Sequence, residues 1–327
     1  MPECTASTLR YTQYVEPGHA ALRAGFLVSS SPKGCVNVRY YAVTALGVVS
    51  VSFAAIFIRM ADAHPTSIAL MRMLLATLFM GTLWLIRRSG QPQRDDWPYL
   101  LGAGVFLALH FYTWIASFQH TTVVSSVVLV STTPLFVVVL SSLFLKERIV
   151  PKQIIGLTLC VIGAAVIGLS DIGSVGDSSL LGNSLALAGA LFAAMYWLIG
   201  RKVRRRLPML PYTTTVYGVA TLVLLVISLS SGLTFGPFSR GSWSAFFGLA
   251  IVCTVLGHSS LNYAIGNLSA SFISVAALGE PIGAAIWAAL FFAELPTAGQ
   301  ISGGLLVLAG IGAFALTGKT QPQEPGT

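Results

Sequence analysis

Glu280 and Pro281 stand side by side in the otherwise apolar stretch AALGEPIGAAIW (276–287). An ionised carboxylate on a lipid-facing helix costs about 3 kcal/mol or more, so this side chain is expected to face protein or a wet cavity. There it could balance a cationic or amino group on a substrate, or bind and release a proton as a cavity opens to each side. The packing alternative is a protonated carboxyl that ties one helix to the next. Pro281 lacks an N–H and leaves the carbonyl of Ala277 without its intrahelical partner, as Pro134 does for Val130. Interrupted helices of this kind, when matched in two halves of a chain, point to a binding site at mid-membrane depth.

Other groups could join such a site. LALHFYTWIASFQH (107–120) places His110 and Trp114 four residues apart on one helical face, with Phe111 and Tyr112 around them. GHSSLNYAIG (257–266) offers His258, Asn262 and Tyr263, and Tyr196 and Trp197 follow in another apolar run. Rings for stacking, with His or Asn for orientation, suit a small molecule of amino-acid size. The alternatives are interfacial anchoring for the aromatic residues and packed hydrogen bonding for each histidine. Arg72 stands about 9 Å from the outer end of its run. It is expected to snorkel or to pair with a carboxyl such as Asp62, with recognition of a substrate carboxylate as the alternative.

These residues sit in a chain of 327 residues that is 55% hydrophobic and only 9% charged, with a mean hydropathy of +0.79. An average soluble domain carries about 25% charged residues. Apolar runs near the length needed to cross the ~30 Å hydrocarbon core recur almost end to end. They lack the strict alternation of a membrane β-barrel. The reading is an all-α polytopic membrane protein with ten spans, near 40–61, 66–88, 97–118, 121–145, 151–170, 179–201, 210–231, 242–265, 268–293 and 297–317.

Basic residues near span ends are retained in the cytoplasm. With the amino terminus inside, sixteen of the nineteen Lys and Arg residues fall on the inner side, two (Arg59 and Arg240) fall outside, and Arg72 lies within a span. Both termini are therefore expected in the cytoplasm. The run RKVRRR (201–206) is read as a retention signal that attracts anionic lipid head groups, and no nucleic-acid partner is expected. Residues 1–38 are read as a disordered cytoplasmic tail, or as the product of a start assigned too far upstream, and residues 319–327 as a second cytoplasmic tail. Cys4, Cys35, Cys160 and Cys253 have no metal-ligand spacing, so no disulfide framework, metal or cofactor is expected.

The chain repeats itself. A shift of 147 matches Pro134 to Pro281, Glu147 to Glu294, Gln153 to Gln300, Gly156 to Gly303 and Gly163 to Gly310. Five spans per half is an odd number, so the second copy must enter the membrane in the opposite direction. Two inverted five-helix repeats can each adopt the other's conformation, which makes alternating access the natural use. The glycine rows are read as close packing between spans, with a monomer or a homodimer both left open.

Pro134 and the following KER (146–148) with GLTLCVIGAAVIG (156–168), repeated as GEP (279–281) with GGLLVLAGIGA (303–313), resemble the EamA branch of the drug/metabolite transporter superfamily. Pro65 followed by Arg72 in MRMLLATL is similar to that branch as well. The resemblance covers residues 40–317 and implies repeats at 39–171 and 178–318. It also implies a carrier of the bacterial inner membrane, often an amino-acid exporter, with a cavity lined largely by spans one, three, four, six, eight and nine. The second copy departs from the pattern, with Ala293, Glu294 and Leu295 where the first has KER. The resulting expectation is a secondary transporter, not an enzyme, that exports amino acids or related metabolites, with protons as a candidate coupling ion. A gated channel, or a membrane-embedded enzyme using His110, His258 and Glu280, is the rival reading. Against the enzyme stands the lack of an HExxH, a nucleophile elbow or a clustered Asp set.

Overall fold

Apolar runs of this length leave the backbone no hydrogen-bonding partner but itself, and helix is the result. The structure, a computed structural model, describes residues 38–145, 151–174, 178–204, 206–233, 236–265, 276–277 and 279–317. Residues 1–37 of the expected amino-terminal tail, the expected carboxy-terminal tail, Cys4, Cys35 and the KER run lie outside the described residues, and Val38, expected in the tail, opens the first helix.

The chain runs through α1 (Val38–Ser52), α2 (Ala54–Met60), α3 (Pro65–Arg87), α4 (Trp97–Ser117), α5 (Val123–Val130), α6 (Thr133–Leu145), α7 (Pro151–Ser174), α8 (Ser178–Arg204) and α9 (Met209–Ser230). It continues with α10 (Arg240–Phe247), a π-helical segment (Gly248–His258), α11 (Ser259–Ile265), α12 (Gly279–Phe292) and α13 (Ala298–Thr317). Among the described residues there is no strand, and eight helical spans are long and apolar enough to cross a membrane. Two shorter apolar helices, Gly279–Phe292 and Ala298–Ala313, stand where spans nine and ten were expected.

Local chemistry explains the helix ends. His64 Nδ1 accepts from the Thr66 amide at 3.3 Å, with Pro65 at the first position of α3, where its missing N–H costs nothing. At the break ahead of Pro134 the freed backbone is satisfied from within. The hydroxyls of Ser131, Thr132 and Thr133 donate to the carbonyls of Val127, Leu129 and Val130 at 2.7, 2.6 and 2.7 Å. The Val130 carbonyl expected to lack a partner is thus taken by Thr133, which lets the interruption sit inside an apolar bundle.

Helix α7 lies against α13 with backbones almost in contact. A Cβ on Gly163 would come within 2.6 Å of the Gly303 carbonyl oxygen, one on Gly303 within 2.7 Å of the Gly163 oxygen, and one on Gly310 within 2.6 Å of the Gly156 oxygen. Cys160 Sγ donates to the Val307 carbonyl at 3.3 Å between them. The contacts descend one helix as they climb the other, so the two helices run antiparallel, and the glycine rows serve packing between spans. Elsewhere α4 lies along α8, α3 along α9, and α5 packs against α12.

One end of the bundle is fastened by a buried carboxylate. Asp171 Oδ1 accepts from Ser125 Oγ (3.0 Å) and Gln300 Nε2 (2.7 Å), and Oδ2 from Asn183 Nδ2 (2.7 Å), with the Thr121 hydroxyl 3.1 Å from the same oxygen. Beside it, Glu294 Oε1 accepts from the Val123 amide at the start of α5 (2.7 Å), and its Oε2 lies 3.6 Å from Arg59 Nη2. At the opposite end Arg206 Nε donates to the buried Asp96 Oδ1 at 2.7 Å, and Lys202 Nζ lies over the Tyr99 ring.

Candidate functional site

Between these ends the bundle encloses charge. Helix α3 has two faces: Ile68, Ala69, Met73, Ala76 and Met80 are buried, whereas Leu78 and Leu85 are exposed. Arg72 belongs to the buried face and has 0% of its surface exposed. It neither snorkels nor pairs with Asp62, whose backbone carbonyl accepts from Ser242. Counting its depth along the helix allowed snorkelling, but the helical rotation turns it inward.

The guanidinium lies over the Phe111 ring, with Cζ 4.1 Å from the ring centroid and 6.0 Å from that of Trp114. Its Nε donates to Thr254 Oγ1 at 2.9 Å. Thr254 can accept because its own proton is used: its hydroxyl donates to the Leu249 carbonyl at 2.9 Å, five residues back in the π-helical segment. The wide turn therefore supplies the acceptor that holds the arginine. π-Helical turns inside α-helices often mark functional sites. Among the described residues Arg72 Nη1 and Nη2 have no hydrogen-bond partner, and Trp114 Nε1, also buried, has none.

Glu280 enters from the first turn of α12. On this helix Pro281, Ala284 and Ala288 are buried, and Ile282, Ile286 and Leu290 are exposed. Glu280, Gly283 and Trp287 share the face turned to α1, where Trp287 Nε1 donates to Ser52 Oγ at 2.9 Å and stacks on Phe53 at 4.5 Å. Sequence reading did not single out Trp287; its spacing of seven from Glu280 was the available signal. Glu280 and Arg72 are close enough for their charges to interact, and Arg72 acts in the same way on His110 and His258. Glu280, His110 and His258 are only partly buried. His110 stacks on Trp114 with ring centroids 5.8 Å apart, and its Nδ1 lies 2.9 Å from the Gly189 carbonyl.

The expected set is thus partly assembled. His110, Trp114, His258 and Glu280 gather around Arg72, the group read from sequence as a membrane-surface residue. Tyr196 lies near the buried Tyr212 and Tyr217, and Tyr217 in turn lies near Arg72. Trp197 is 42% exposed on the outer surface of the bundle, a place for lipid contact. Adjacent residues on a helix point about 100° apart, so Tyr196 turning inward sends Trp197 out. The Asn262 side chain and residue 278, ahead of Pro281, lie outside the described residues; Pro281 itself is buried in the first turn of α12. Pro134 stands just after the break between α5 and α6. No group of three or more His, Cys, Asp or Glu residues suited to a metal ion occurs among the described residues.

Comparison with known proteins bears on what such an enclosure does. The model of the EamA-like transporter family matches residues 39–169 and again residues 180–316. An uncharacterized transporter, YxxF, of Bacillus subtilis (strain 168) is 27% identical over 270 residues, covering 78% of this chain and 83% of its own. The pseudopaline exporter CntI of Pseudomonas aeruginosa (strain UCBPP-PA14) is 28% identical over 244 residues, covering 73% of this chain and 84% of its own. A solved crystal structure superposes with a TM-score of 0.62 at 15% identity, covering 86% of this chain and 98% of its own, which is a likeness of fold.

Proposed function

Since this chain belongs to the EamA-like transporter family, we propose that it is a secondary transporter that exports amino acids or related small metabolites across the bacterial inner membrane by alternating access. The observation that carries this reading is the enclosed cluster of Arg72, Glu280, His110 and His258. A helical bundle made for lipid has no packing need for four titratable groups at its centre, and burying them is costly unless something polar visits. The pseudopaline exporter among the relatives supports outward movement.

Alternating access needs two halves that can exchange conformations. The twofold match of the family model supports residues 39–171 and 178–318 as the halves. The antiparallel packing of α7 and α13 supports their inversion: its contacts, 156 with 310, 160 with 307 and 163 with 303, exchange into one another under the 147-residue shift. In this reading α5 and α12, which pack together, belong to the two interrupted spans, and Glu280 counters the amino group of the cargo or carries the coupling proton.

Counterflow in proteoliposomes, with labelled amino acids, amines, sugars and nucleosides at two pH values, tests the function. Saturable exchange of amino acids is expected; no saturable exchange of any of them would favour the channel or enzyme reading. Topology has its own test. Alkaline phosphatase fused after His120 should be active and after Lys202 inactive, and the opposite pattern would place both termini outside.

A further inference from the structure

We propose that the amino groups of Arg72 and the indole N–H of Trp114 form a carboxylate-binding subsite for the transported molecule. This deepens the transporter reading and rests on it. The cluster has a surplus of donors. Arg72 Nη1 and Nη2 and Trp114 Nε1 are buried without a partner among the described residues, while acceptors nearby are engaged: Thr254 Oγ1 by Arg72 Nε, and the Gly189 carbonyl by His110. A buried unpaired donor costs about 1–3 kcal/mol. Three of them around one cation call for a ligand that brings oxygen acceptors and negative charge.

The shape selects the ligand further. Phe111 covers the guanidinium at 4.1 Å, and Thr254 fixes its Nε edge, so the two amino groups are left as the free edge of a planar fork. A fork of this kind matches the two oxygens of a carboxylate, which a lysine in the same place would not do. One guanidinium balances one carboxylate. A dianionic phosphate would bring a second negative charge into a site that already holds Glu280. With Glu280 near enough to Arg72 for their charges to interact, the pair offers opposite signs to the two ends of a zwitterion. The subsite therefore takes the carboxylate of an α-amino acid whose amino group turns toward Glu280.

The test compares L-phenylalanine, L-leucine and L-threonine with their carboxamides, which keep the amino group and side chain but lose the negative charge. Full-length protein in proteoliposomes is assayed by counterflow, and the same protein in detergent by ligand-induced thermal stabilisation. The wild type should prefer each acid over its amide. Trp114→Phe keeps the ring and loses the N–H, and should lower apparent affinity for the acids by about tenfold; Arg72→Lys keeps the charge and loses the fork, and should lower it by about a hundredfold. Both variants should narrow the difference between acid and amide, an outcome that a purely packing role would not produce. Wild-type protein that carries amines or amides as well as acids, or variants that keep the wild-type preference, would overturn the subsite and leave the transporter reading standing. Wild-type protein that exchanges none of the solutes would overturn both.

Discussion

Asp171 and Arg72 are both fully buried charges in the same helical bundle, and their surroundings are opposite. Around this aspartate of α7, side chains from α5, α8 and α13 and from the turn before α5 converge. A carboxylate with about four lone-pair sites meets Ser125, Asn183, Gln300 and Thr121. Around the arginine one donor edge is used and, among the described residues, two amino groups are not. A satisfied buried charge ties elements together, whereas an unsatisfied one is stable only in company that comes and goes. The difference separates a clamp from the proposed site, and each of the following measurements can break it.

The largest effect is expected at the clamp. Asp171→Ala would strand several buried donors and should destabilise the protein by about 3 kcal/mol or more, seen as a lower unfolding temperature in detergent and lower yield. An unchanged unfolding temperature would mean that the network does not fasten the bundle. Next comes the glycine contact of α7 with α13. Gly163→Ala puts a methyl within 2.6 Å of a backbone oxygen that cannot rotate away, and a loss of about 1–3 kcal/mol should follow.

In contrast, Glu280→Gln should change stability by less than about 1 kcal/mol, because the amide retains volume and hydrogen-bonding capacity. Flux should nevertheless be abolished or uncoupled from pH; unchanged flux with unchanged pH dependence would make this glutamate a packing group. The smallest effect belongs to the rim of the clamp. Arg59 and Glu294 are partly exposed and 3.6 Å apart, so Glu294→Gln, which keeps an acceptor for the Val123 amide, should cost less than about 1 kcal/mol. A larger loss would extend the clamp to this ion pair.

What the sequence disclosed follows the same division. Hydrophobic run length located the eight longer spans, and the glutamate among apolar residues marked its own helix, because both signals are properties of composition along the chain. Arg72 reads as a surface group when its depth along α3 is counted and its face is not, although Leu78 and Leu85, well round the helix from it, mark the lipid surface. Trp197 was grouped with Tyr196 by adjacency, where a helix separates neighbours. Asp171 read as part of a connection because its partners are 46, 12 and 129 residues away in sequence. The π-helical turn that brings Thr254 to Arg72 leaves no mark in GLAIVCTVLGH. Long-range satisfaction of polar groups is a property of the assembled bundle, and no local pattern reports it.

The most direct test of the central cluster is proteoliposome counterflow of labelled L-phenylalanine, L-leucine and L-threonine by wild-type protein and Glu280→Gln at matched reconstitution. Saturable exchange by the wild type, with loss or uncoupling in the variant despite normal insertion, is the expected result. Equal flux from both proteins, with the same dependence on pH, would contradict the assignment of the central cluster as the transport site.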